Sequence, residues 1–218
     1  MSITAKHAYG ASIEGIDGRA GTLYDVLFDD QSWRVRHLVV STERWFHGRQ
    51  VLIEPAVVDR ADWSEQRVSV RLTKEQVRQS PPAQTDLPLA RRNDQEAARM
   101  LVWEAYWLGI PDMPAAARGD PHLRSTKVLV GLHIHCADGP LGHVDDFIID
   151  DETWRIRYLV VETRNWWPGK RVLVELNWIE SIRWEDGQVY LTLSRDEVLG
   201  RPAFEGSAPS EQSLVDMR

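Results

Sequence analysis

The feature that most constrains this chain is an internal repeat. Residues 6–81 align without a gap to residues 127–202, with 26 identities in 76 positions. The strongest stretches are DDQSWRVRHLVVST (29–42) against DDETWRIRYLVVET (150–163). Residues 45–54 and 166–175 follow closely. A gapless match of this length means one fold used twice, so each half must be a complete structural plan in about 75 residues.

The apolar period inside each repeat is two. Val68, Val70 and Leu72 alternate with Ser69, Arg71 and Thr73, and Val189, Leu191 and Leu193 do the same in the second copy. That is strand patterning with one buried face. Leu38-Val39-Val40 and Val51-Leu52-Ile53 are continuous apolar runs, as expected of strands buried on both sides or near a closure. Recurring Gly10/Gly131, Gly18/Gly139, Gly21/Gly142 and Gly48/Gly169 mark backbone needing positive φ or close approach. Asp17-Gly18 and Asp138-Gly139 are hairpin dipeptides, and Asp29-Asp30 and Asp150-Asp151 mark a second turn. Each copy ends in a capping box, Thr73 to Gln76 and Ser194 to Glu197, stopped by Pro81 and Pro202.

Each copy therefore reads as five or six short strands and a helical turn. A sheet this small must close or pair to hide its edges, so a small closed β-barrel is expected. The fold class is all-β: module 1 over 1–81, a linker over 82–126 with a helix at about 93–108, module 2 over 127–204, and a mobile tail over 205–218. The copies are expected to pack about a pseudo-twofold axis, as a homodimer of single modules would.

Charge narrows the function classes. The net charge is −7, and no segment is basic: the first repeat has eleven basic and eleven acidic side chains, the second nine and thirteen. Generic nucleic-acid binding usually needs a basic face and is disfavoured. A single cysteine, Cys136, excludes an internal disulfide. The first residues lack the apolar core of a signal peptide, and the most apolar window, 100–110, is too short to span a bilayer. A cytoplasmic protein without a transmembrane segment is expected.

The repeat residues also carry a resemblance. Gly21, Asp25, Asp29-Asp30 and Trp33 to Val40, and again Gly142, Asp146, Asp150-Asp151 and Trp154 to Val161, occur in one order. Both copies then close with Leu-Thr/Ser-x-acidic-x-Val-x-x-x-Pro at 72–81 and 193–202. This order resembles the PRC-barrel family, and the resemblance covers both copies. It implies a small all-β barrel and a role in protein–protein assembly. Members include the cytoplasmic domain of the photosynthetic reaction-centre H subunit and the C-terminal domain of a ribosome maturation factor. This sequence shows neither the H subunit's membrane helix nor the maturation factor's separate N-terminal domain, so neither specific role is carried over.

Each candidate site also has a structural role open to it. Trp45-Phe46 and Trp166-Trp167 sit in equivalent Gly-containing loops. They either contact a partner or plug a barrel end against the other copy, and in both cases are interface residues. Trp103 and Trp107 lie on the linker helix and join them as partner or inter-module contacts. Arg34, Arg36, Arg155 and Arg157 could grip anionic or carboxylate groups, although cross-strand ion pairs are the commoner use. His133, His135 and His143, near Cys136, Asp145 and Asp146, are residue types that bind zinc. Alternation places His133 and His135 on the face opposite Leu132, Ile134 and Cys136, and ordinary outward strand side chains account for them better. No metal and no cofactor are expected. Asp25 and Asp146 could serve acid–base work, but an Asp accepting backbone N–H bonds at a turn or bulge is favoured.

No nucleophile elbow, zinc-protease helix, P-loop or dinucleotide fingerprint appears. The expected function is a non-catalytic cytoplasmic adaptor binding a protein, with homo-oligomers possible. Three alternatives stand beside it: a metal-dependent enzyme or sensor at the histidine cluster, an RNA-processing or ribosome-assembly accessory, and a peripheral reaction-centre-associated protein.

Overall fold

The computed structural model describes residues 2–42, 49–83, 120–163, 169–184 and 186–206. The expected linker helix at 93–108 and most of the expected tail lie outside the described residues. The chain divides into two compact units, Ala8–Ser125, and Met1–His7 together with Thr126–Arg218. Strand β1 (Ser2–Thr4) and helix α1 (Ala5–Ala8) come first in the chain.

The Ala8–Ser125 unit is a curled seven-stranded sheet. Its strands are β2 (Ser12–Gly15), β3 (Gly18–Asp29), β4 (Val35–Ser41), β5 (Gln50–Ile53), β6 (Val58–Asp62), β7 (Arg67–Val70) and β8 (Leu123–Ser125). Helix α2 (Lys74–Gln79) follows β7. The order is β5-β4-β3-β2-β7-β6, with β8 also paired to β3. All pairs are antiparallel except β2 with β7.

The second unit repeats this plan. After α3 (Thr126–Leu129) come β9 (His133–Cys136), β10 (Gly139–Asp150), β11 (Arg155–Thr163), β12 (Lys170–Glu175), β13 (Ile179–Arg183), β14 (Gln188–Leu191) and α4 (Arg195–Leu199). The order is β12-β11-β10-β9-β14-β13, with β1 paired to β10.

The turns form for the reasons their residues supply. Gly18 (φ 113°) and Gly139 (φ 137°) take the positive angle after each hairpin Asp. The same Asp does a second job: Asp17 Oδ1 accepts from Lys74 N and Asp138 Oδ1 from Arg195 N, each at 2.8 Å. Each hairpin is thus tied to the start of the closing helix. Both capping boxes form, on Thr73 and on Ser194. Gly21 and Gly142 are needed for close approach, since a Cβ would stand 2.5 Å and 2.0 Å from carbonyl oxygens of Ser41 and Glu162. At the second turn Asp29 Oδ1 accepts from Gln31 N, Ser32 N and Ser32 Oγ, and Trp33 takes φ 56°. Asp150 and Trp154 repeat the arrangement.

The two-sided burial expected of the continuous apolar runs is present. Ile13, Leu23, Phe28, Leu38, Val40, Val51 and Val68 are fully buried. On the opposite face Leu27, Val39 and Leu52 form a second cluster, covered by Leu123 and Ala83. In the second unit Ile148, Val160 and Leu173 occupy the same places, covered by Phe204.

Two features depart from the sequence reading. Strands β3 and β10 are each twelve residues long, bent by irregularities at Leu23/Asp25 and Leu27/Phe28 and at the matching positions. The compact units also differ from modules over 1–81 and 127–204. Residues 2–4 pair with β10 of the second repeat, and residues 123–125 pair with β3 of the first. The reason lies in the long strand. β2 covers only Gly18–Thr22 of β3, so Leu27–Asp29 would otherwise be an unpaired edge opposite β4. No ladder joins β5 to β6 among the described residues, so each module is barrel-like, not hydrogen-bonded all round. The β5 edge is shielded by a bridge from Val51 to Pro82 and by Leu52 N donating to Pro81 O.

Candidate functional site

Asp25 and Asp146 stand at the bulge of the long strands and are buried. Asp25 Oδ1 accepts from Val26 N at 2.7 Å, and Asp146 Oδ1 from Phe147 N at 2.8 Å. That is the structural role favoured by the sequence. What pattern reading missed is the second partner. Ser125 Oγ, on β8, donates to Asp25 Oδ2 at 2.5 Å. Thr4, on β1, is the repeat equivalent of Ser125, and its hydroxyl bonds Asp146. Lys6 N adds a bond to Asp146 Oδ1 at 3.1 Å. Burial pushes the Asp146 carboxyl above its ordinary range, against these hydrogen bonds. The only sequence signal was the match of Thr4 with Ser125, just outside the aligned repeats.

The four arginines separate into two pairs. Arg36 Nη1 lies 2.7 Å from Asp120 Oδ2 and 3.8 Å from Asp29. Arg157 donates through Nε and Nη2 to Asp150 Oδ2, at 3.2 and 2.9 Å. Although burial opposes it, bonds from Thr153 N and from Arg157 hold Asp150 down at about 2. Arg157 thus locks its turn, and Arg36 chiefly ties β4 to the segment entering β8, both in ion pairs of the kind expected as commoner. Arg34 and Arg155 are exposed, and no ion pair joins either among the described residues.

The histidines fall on one outward face. His133 is exposed and His135 half-buried, while Ile134 and Cys136 between and beyond them are buried. His133 stands opposite His143, and His143 opposite Glu162. His143 Nε2 is 3.2 Å from Glu162 Oε2. Among the described residues no group of three or more His, Cys, Asp or Glu comes together as a metal would need. Burial, then nearby Asp138, pushes the Cys136 thiol up to about 11, so it is protonated at neutral pH.

Beside this row is a stack that the sequence reading did not single out. His135 lies on Tyr190, centroids 5.2 Å apart, and the Arg183 guanidinium is 4.9 Å from the Tyr190 ring centre. These residues occupy neighbouring positions on β9, β14 and β13. The first repeat has Glu14, Ser69 and Asp62 in their places. Trp45, Phe46, Trp166, Trp167, Trp103 and Trp107 lie outside the described residues.

Residues 134–198, from within β9 to within α4, match the PRC-barrel domain model. The second repeat is therefore similar to a PRC-barrel domain, over less than a third of the chain. The first repeat has the same strand order and register, shifted by the repeat length. The chain thus carries one all-β, barrel-like sheet plan twice, and the family match falls on the second copy. No curated protein matches the chain. Among the described residues no helix is long and apolar enough to cross a membrane.

Proposed function

We propose that this chain is a non-catalytic cytoplasmic binding and assembly protein, using its two PRC-barrel surfaces to hold protein partners. The supporting observation is the disposition of the repeated charged side chains. Asp25 and Asp146 are buried and hydrogen-bonded to backbone and hydroxyl donors. Arg157 pairs with Asp150 across its turn, and Arg36 pairs with Asp120 ahead of β8. These recurring aspartates and arginines therefore serve the scaffold. What faces outward is suited to recognition: Arg34 and Arg155 at equivalent turns, and the Arg183–Tyr190–His135 stack on the second module.

The test compares partner recovery from a lysate of the source cell. One variant replaces Trp45, Phe46, Trp166 and Trp167 by Ser, and another replaces Arg34 and Arg155 by Ser. With the fold retained by circular dichroism, at least one variant should lose a specific partner by about tenfold or more, the scale of a hot-spot loss. Full recovery of every partner by both folded variants would contradict the reading.

A further inference from the structure

The strand that completes each unit comes from the segment preceding the other repeat. Residues 2–4 lead into the first repeat but pair with β10, Ser2 opposite Asp150 and Thr4 opposite Ile148. Residues 123–125 lead into the second repeat but pair with β3, Leu123 opposite Asp29 and Ser125 opposite Leu27. The two registers are equivalent, since Ile148 and Leu27 are repeat partners, as are Thr4 and Ser125. Each slot has one chemical key. The third residue of the incoming strand carries a hydroxyl, and it meets the buried Asp at the bulge.

We infer that this reciprocal strand donation fastens the two repeats to each other, and that it holds the halves of the chain together without help from the linker. Each acceptor slot takes a three-residue strand ending in Ser or Thr, and the strand each receives is covalently part of the other half. Separating the halves would leave two long strands with bare edges and two buried carboxylates without their hydroxyl donors. Both are costly: an unpaired edge exposes ladder groups, and a buried charged acceptor stripped of a donor loses a charge-assisted bond. The first slot adds a buried ion pair, Arg124 Nη2 to Asp30 Oδ2 at 2.7 Å, with both side chains at most 7% exposed. The register, the hydroxyl and the acid recur in both units, which an accidental pairing of leaders would not produce.

The test uses the full chain with a site-specific protease sequence inserted between Leu87 and Pro88. After complete cutting, the two pieces should elute together as one species in native buffer and part only in denaturant. Separate elution in native buffer would overturn the inference. Because contact elsewhere could also hold the pieces, the same cut is made in the double variant Thr4→Val/Ser125→Ala. Its pieces should dissociate at least about tenfold more readily, since each of the two deleted hydroxyls loses a bond to a charged group worth about that much. Unchanged dissociation would refute the hydroxyl–aspartate key. Should that variant fold poorly, hydrogen exchange on the uncut natural sequence decides. Segments 2–4 and 123–125 should be protected as strongly as β4 and β11, and rapid exchange in both would count against donation.

Discussion

The two units share a sheet plan but hold the donated strand with different chemistry. In the Ala8–Ser125 unit the incoming segment is polar at alternate positions. Asp120 pairs with Arg36, His122 Nδ1 lies 3.1 Å from Asp30, and Arg124 forms the buried pair with the same Asp30. Leu123 alone joins the apolar cluster. In the other unit Ile3 stands at the place of Arg124 and is buried. There the cluster is closed by Phe204, whose N donates to Arg171 O at 2.7 Å and so covers the edge of β12. The slot geometry is therefore set by backbone pairing and the Asp–hydroxyl bond. The flanking side chains are free to be ionic in one copy and apolar in the other. Duplication kept what the backbone demands and let the rest diverge.

The sharpest way to break this comparison is at Arg124. Arg124→Met leaves Asp30 buried without its guanidinium and should cost about 3–5 kcal/mol, read by urea unfolding. Adding Asp30→Asn should recover much of that loss, since the uncompensated charge is then removed. The apolar copy should behave otherwise. Phe204→Ala should cost about 3 kcal/mol with no ionic-strength dependence, because the loss is a cavity and an uncovered strand edge. If salt moved both variants equally, the ionic-against-apolar distinction would be wrong.

A smaller effect separates the two carboxylates of the second unit. Asp150 is held near 2, so its stabilising contribution is present above the ordinary Asp range near pH 4 and is lost as pH falls toward 2. Asp150→Asn should cost roughly 1–2 kcal/mol at pH 7 and nearly nothing at pH 2, measured by unfolding across that range. Asp146 has the opposite sign. Its carboxyl is raised by burial, so the folded state takes up its proton first and gains stability as pH falls through that raised value. Asp146→Asn should therefore reduce, not enlarge, the acid-side gain.

The smallest expected change lies at one turn. Gln66 takes φ 50°, whereas the second copy has Gly187 at φ 65°. Gln66→Gly removes left-handed strain at the expense of chain entropy. A net gain of about 0.5 kcal/mol, read as a modest rise in Tm, is expected.

Much of the fold was legible because duplication supplied its own control. The Asp–Gly hairpins, the capping boxes, the doubly buried runs at 38–40 and 51–53 and the outward setting of His133 all follow from local rules applied twice. The donated strands were not legible. Three residues such as Ser2–Thr4 carry too little alternation to announce a strand, and pairing across more than a hundred residues leaves no periodic trace. The bent twelve-residue strands were obscured for a related reason: bulges at Asp25 and Asp146 break the two-residue period. Of the candidate site, the split between ion-paired Arg36 and Arg157 and outward Arg34 and Arg155 depended on where Asp120 and Asp150 came to rest. The Arg183–Tyr190–His135 stack needed the parallel β9–β14 pairing, which no local pattern encodes.

The most direct measurement is the set of interstrand nuclear Overhauser contacts in the intact chain. Strand donation predicts contacts from Ile3 to Ile149 and from Arg124 to Phe28. Contacts from Ile3 to Phe28 and from Arg124 to Ile149, with each leader paired inside its own repeat, would contradict it.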